Sequence, residues 1–153
     1  MAQAQTELMQ LMERATADLI VAFDVIAPPI PVEIMLQRPK IGMWQQVNLS
    51  ELSAAFINVR ERYSPRMSIA RLLVRYICRS AWGTNHNLVQ FQTDDAAIRL
   101  FARILMMPSS MIAALGDGLR NPISISNRFE VPEEDAQLRL IELGYLTVDN
   151  GVR

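Results

Sequence analysis

One cysteine and one histidine are all that this 153-residue sequence offers of the two side chains most used to grip zinc. With Cys78 alone no intrachain disulfide can form, and a reducing cytoplasm is the compartment that such cysteine usage fits. The apolar neighbours of Cys78 predict a buried, inert thiol rather than a reactive one. His86 stands in a stretch of Gly83, Thr84, Asn85 and Asn87 that reads as a loop, and no second His or Cys is spaced to join it on a metal. Net charge is scarce too. At −1 overall it argues against attraction of the whole protein to nucleic acid or to an anionic membrane. Long apolar runs are missing: the one over residues 19–26 is interrupted by Asp24 and ends at Pro28 and Pro29, well short of the ~20 residues a bilayer requires. The N-terminus lacks a basic start followed by an apolar block, so no secretory signal is expected. Internal repeats and low-complexity tracts are absent as well.

What remains is an ordinary globular composition, 50% hydrophobic and 20% charged, in a chain long enough for one domain with a core. Apolar spacing predicts a first helix over residues 6–26, carried by Leu8, Leu11, Met12, Ala15, Leu19, Ala22 and Ile26 and stopped by the prolines. Pro31 opens a short helix over 32–37 with Met35 and Leu36 facing inward. Two short strands are expected, 40–48 from Ile41, Met43 and Val47, and 53–59 from Ala55, Phe56, Ile57 and Val59. A central helix follows over 67–82, with Ile69, Leu72, Leu73, Tyr76 and Ile77 on one apolar face. Residues 88–91 suggest a brief extended piece. A second core helix starts at Thr93 as N-cap, with Asp94 and Asp95 in its first turn, where carboxylates suit the helix dipole. Ala97, Leu100, Phe101, Ile104 and Leu105 give it a packing face, and Pro108 closes it. A short helix over 110–115, a glycine turn at 116–118, a helix pair over 123–129 and 132–143, a cap at Gly144 and a last strand at 145–148 complete the chain.

Two features carry candidate chemistry. Arg71, Arg75 and Arg79 fall at i, i+4 and i+8 and so form a stripe on the central helix. From the residues alone the stripe is open to two readings: a solvated face, or an anion site with Arg60, Arg62 and Arg66, where Tyr63, Tyr76 and Trp82 lie close enough in sequence to stack on bases. The C-terminal helix pair has the length of a helix-turn-helix, but Glu133, Glu134 and Asp135 open its second helix and would repel DNA. Packing through Phe129, Val131, Leu138, Ile141 and Leu143 accounts for it better. Met106, Met107 and Met111 read as core filling.

The order of these features over residues 28–145 resembles that of the ImmA/IrrE-type metallopeptidases. PPIPVEIMLQRPKIGM is similar to that family's helix and first strand, and FINVRERYSPRMSIA to its strand, loop and helix start. LFARILMMP is similar to the family's FA-x-x-LLMP, and NRFEVPEEDAQLRLIELG to its F-x-VS and RL-x-x-LG patterns. The family carries a run like RFT-x-AHExxH on its central helix, where this chain reads Arg66, Met67, Ser68, Ile69, Ala70, Arg71, Leu72, Leu73, Val74, Arg75. Both histidine positions are arginine and the glutamate position is Leu72. Such a zinc site needs two imidazoles one turn apart and a carboxylate to work the water. Arginine keeps its proton near neutral pH and is no ligand. The family's later acidic ligand falls on Asp95 in one register and on Ala97 in another.

The resemblance therefore implies an α+β fold, a mostly helical zincin-like metallopeptidase domain with a small β-sheet and a C-terminal helix pair. A single domain is expected over 1–153, with an N-terminal helix at 1–27, a peptidase-like core at 28–115 and the helix pair and tail at 119–153. It further implies a catalytically inactive pseudo-metallopeptidase, without metal or other cofactor. Its role would be regulatory, through a protein partner such as a helix-turn-helix regulator in stress response or mobile-element control. Arg71, Arg75, Arg79, Asp94 and Asp95 are then a candidate ion-pair or anion site. The alternatives are a relocated metal site around His86, Cys78 and Asp94 or Asp95, and nucleic-acid binding through the arginine stripe.

Overall fold

A computed structural model describes residues 2–47 and 63–148. Among these residues every regular element is helical. In chain order they are α1 (Ala2–Ala22), α2 (Val32–Gln37), α3 (Ser64–Arg79), α4 (Ala81–Asn85), α5 (Asp95–Met106), α6 (Ser109–Ala113), α7 (Pro122–Phe129) and α8 (Glu133–Glu142), with single 3-10 turns at Val89–Phe91 and Asp117–Leu119.

The organising contact is α3 on α5. Met67, Ala70, Leu73, Val74, Ile77 and Cys78 form the buried stripe of α3, and Ala97, Ile98, Leu100, Phe101, Ala102, Ile104, Leu105 and Met106 that of α5. Both repeat at helical spacing, so each helix removes one face from water. Around this pair α2 packs on α3, α1 on α5, and α7 with α8 close the far side. Among the described residues no helix is long and apolar enough to cross a membrane.

The expected α+β architecture is overturned: the described residues contain no strand and no sheet. Over 40–47 the alternation is only apparent. Ile41 is fully exposed, Gly42 turns the chain at φ +85°, and Trp44 is the residue that is buried, its indole Nε1 donating to the Met35 carbonyl at 3.0 Å. The last strand, expected at 145–148, is instead the wrap that ends α8. Gly144 adopts φ +84°, its N–H donates to Ile141 O at 3.0 Å, and the Tyr145 N–H reaches Leu140 O at 2.9 Å. This paired closure satisfies the last carbonyls of the helix, which a strand could not do. The extended piece at 88–91 is a 3-10 turn. The strand expected at 53–59, Arg60 and Arg62 lie outside the described residues.

Helix ends differ from the sequence reading in instructive ways. Asp24 in the left-handed conformation (φ 55°) ends α1, with the Val25 N–H reaching Ile20 O at 3.0 Å, before the prolines are reached. Ile26 lies outside the helix and is almost wholly exposed. Asp94 rather than Thr93 caps α5, its carboxylate accepting from the Ala97 N–H at 3.1 Å. Gly83 is not in a loop but in α4, which Ser80 caps by accepting from the Gly83 N–H at 3.1 Å.

Candidate ligand-binding cleft

α3, α5 and the start of α8 enclose a cleft of ≈ 330 Å³ lined by Ser64, Met67, Arg71, Arg99, Arg103, Pro132, Glu134, Asp135 and Leu138. Successive turns of α5 supply Arg99 and Arg103, because residues four apart share a helix face. α3 supplies Arg71 from the opposite side. The carboxylates come from the first turn of α8, where the dipole favours them. Leu138, expected in the core, is 39% exposed and forms part of the apolar lining instead.

The arginine stripe does not act as one surface. The Arg75 Nη2 donates to Asp95 Oδ1 at 3.0 Å, and the other carboxylate oxygen accepts from Arg99 Nε at 2.8 Å. Two guanidiniums thus share one carboxylate, but the second is Arg99 and not Arg71, which the ion-pair reading had set beside Arg75. Arg99 wins because it sits one turn along the same helix from Asp95, at i+4. Together Arg99 and then Arg75 hold the Asp95 carboxyl below its ordinary range. Arg71 points elsewhere, into the cleft, where its only hydrogen bond among the described residues is from Nη2 to Ser68 Oγ at 3.2 Å. Burial, and then the nearby Arg99 cation, push the Arg71 guanidinium below the usual arginine value. Arg79 lies over the Tyr76 ring at 4.8 Å, outside the cleft. Leu72, at the glutamate position of the resemblance, packs half-buried against the core. Ala97 is buried in the α5 core face, so of the two registers only Asp95 faces the α3 arginines.

The alternative metal donors do not converge. Cys78 is buried, and desolvation pushes its thiol up to about 12. His86 stacks on Trp82 at 3.6 Å, with Nδ1 against Trp82 O at 2.8 Å and Nε2 against Asp18 Oδ2 at 3.0 Å. Asp94 is engaged as a helix cap. Among the described residues no three His, Cys, Asp or Glu side chains gather in a metal-holding group. The aromatic partners for bases are likewise committed: Trp82 lies edge-on to Trp44 as well as against His86, and Tyr76 lies under Arg79.

Two polar centres escaped the sequence reading. Arg66 donates to Glu33 at 2.7 Å, to Ile30 O at 2.5 Å and to the Phe129 and Glu130 carbonyls, tying α2 to the end of α7. Arg139 is wholly buried; its Nη2 donates to Glu13 at 2.6 Å and its Nε to Met107 O at 2.9 Å. Beside it Arg103 pairs with Glu142 at 2.6 Å. Spacing did hold a signal for Arg139, which falls at i+3 from Ala136 and next to Leu140 on the buried face of α8. Nothing in the sequence points to the remote Glu13 or Glu33. No family model, no curated protein and no solved structure matches this chain.

Proposed function

We propose that this chain is a non-catalytic, regulatory protein-interaction module that docks its partner at the cleft between α3, α5 and α8. The observation that carries the reading is the occupancy of the two positions one helical turn apart on α3. Arg71 and Arg75 stand where the resemblance would place two histidines, and Arg75 is closed onto Asp95. Guanidinium groups neither bind zinc nor activate water at neutral pH. They do make charge-directed contacts with protein surfaces. The resemblance supplies the class of partner, a helix-turn-helix regulator. The single thiol, unable to make an intrachain disulfide, suits a reducing cytoplasm. Nucleic acid is disfavoured as the ligand because Glu134 and Asp135 line the same cleft as the arginines.

The test has two arms. Purified protein titrated with zinc is expected to bind none stoichiometrically and to leave peptide substrates intact. The chain is also expected to retain a co-expressed helix-turn-helix regulator, with the double variant Arg71→Gln, Arg99→Gln losing it. Tightly held zinc with chelator-sensitive cleavage would overturn the reading. Retention of the partner by the double variant would remove the cleft as its docking site.

A further inference from the structure

The three cations in the cleft are unequally used. Arg103 donates from Nε to Glu142 Oε2 at 2.8 Å, with Nη2 2.6 Å from the same oxygen, and Arg99 donates to Asp95 at 2.8 Å. Arg71 is half-buried, yet no carboxylate bridges it among the described residues, and its one hydrogen bond goes to a neutral hydroxyl on its own helix. A guanidinium has five N–H donors arranged as a fork that matches a carboxylate, so most of the donor capacity of Arg71 is unspent inside a concave site. Burial and the Arg99 cation oppose the charge on Arg71, Asp135 and Asp95 offset them only in part, and an anion arriving at the free donors would add to that attraction.

We infer that the cleft is a receptor for a single carboxylate, presented by an acidic side chain of a protein partner and gripped by Arg71, with Arg99 as the second donor. This rests on the proposed function and names the chemistry of the docking site. Three features select that ligand. The ≈ 330 Å³ volume is at the small end of ligand sites, enough for a side chain or two. Leu138, exposed at the cleft, offers apolar surface to the methylenes of a glutamate. Glu134 and Asp135 in the lining would repel a chain of phosphates, and the exposed Glu134 complements a basic residue placed near the acidic one. The favoured epitope therefore carries both signs, acid towards α3 and base towards α8.

The experiment uses the full chain, labelled with ¹⁵N and titrated at low salt with acetyl-Glu-Ala-Lys-amide, with acetyl-Gln-Ala-Lys-amide, with inorganic phosphate and with a single-stranded oligonucleotide. Saturable shifts of the Arg71 and Arg99 Nε–H resonances are expected with the Glu peptide, with affinity roughly tenfold weaker for the Gln peptide. Arg71→Gln should weaken the Glu peptide by a similar factor, Arg71→Lys by less because charge remains without the fork, and Arg79→Gln not at all. Equal affinity for the two peptides, no saturable shift at Arg71, or tighter binding of phosphate or oligonucleotide would overturn the inference. The two ideas fail separately. A partner lost with the double variant in the absence of Glu-peptide binding leaves the interaction module standing and removes the carboxylate. Glu-peptide binding with a partner indifferent to the double variant does the reverse.

Discussion

Asp95 shows how far a single side chain can be read from its neighbours. Its two carboxylate oxygens are divided between Arg75 across the helix interface and Arg99 along its own helix. Both favour the ionised form, Arg99 more strongly, so the folded-state pKa lies below that of the unfolded chain. The associated stabilisation is therefore present above the unfolded carboxylate range and is lost as pH falls through the lower folded value. In a ¹³C titration of the side-chain carboxyl, the Asp95 midpoint is expected below that of an ordinary aspartate. Arg99→Gln should raise it most and Arg75→Gln less; a midpoint unmoved by either variant would refute the shared pair. The pairing of Arg75 with an α5 acid was expected, but only through the resemblance, which turns the i, i+4 row towards Asp94 and Asp95. The role of Arg71 was not. Sequence spacing puts it on the same row, but only the position of α8 decides that it faces a cleft lined by Glu134 and Asp135 instead of pairing with Asp95.

At the level of elements, the helices with sustained 3.6-residue periodicity (α3, α5 and the α7–α8 pair) were legible to within a few residues, because each buries a whole face. The misread stretches were short. Over 40–47, and again at 145–148, three or four apolar residues mimic a strand, while the chain is really closing turns around Trp44 and Leu140. α4 was hidden for the opposite reason: Gly, Thr and Asn are poor helix formers, and only tertiary contact makes them helical. Gly83 is the contact. A Cβ there would collide with the Ile77 carbonyl at the end of α3, a backbone atom that cannot swing aside. The φ of Gly83 is not the constraint; the close approach is. Gly83→Ala should cost about 2 kcal/mol as an overpacking strain, measured by urea unfolding. The same variant should weaken the His86 to Asp18 link between α4 and α1, since α4 must shift to relieve the clash. Unchanged stability would show that α4 is not held against α3 in this way.

Across the whole molecule, the charges that matter for stability are those the cleft does not use. Arg139 has no exposure, and it joins Glu13 on α1 to the Met107 carbonyl that ends α5, next to the Arg103–Glu142 pair. One guanidinium thus fixes the first helix, a core helix and the last helix at a common point. Such a pair need not outperform an apolar core in absolute terms, because desolvation opposes the attraction. Removing one partner is another matter, since the other charge is left uncompensated away from water. Arg139→Met strands Glu13 and the buried Met107 carbonyl together, while Glu142 keeps Arg103, and is expected to lower stability by about 3 kcal/mol with the unfolding transition still cooperative. Arg75→Gln makes the contrast: that pair is 40% and 62% exposed, water replaces what is lost, and the urea midpoint should stay near that of the parent protein. Equal midpoints for the two variants would mean that burial does not separate structural from binding arginines here. A large gap would leave Arg71 and Arg99, both outside the buried network, available to a ligand without endangering the fold.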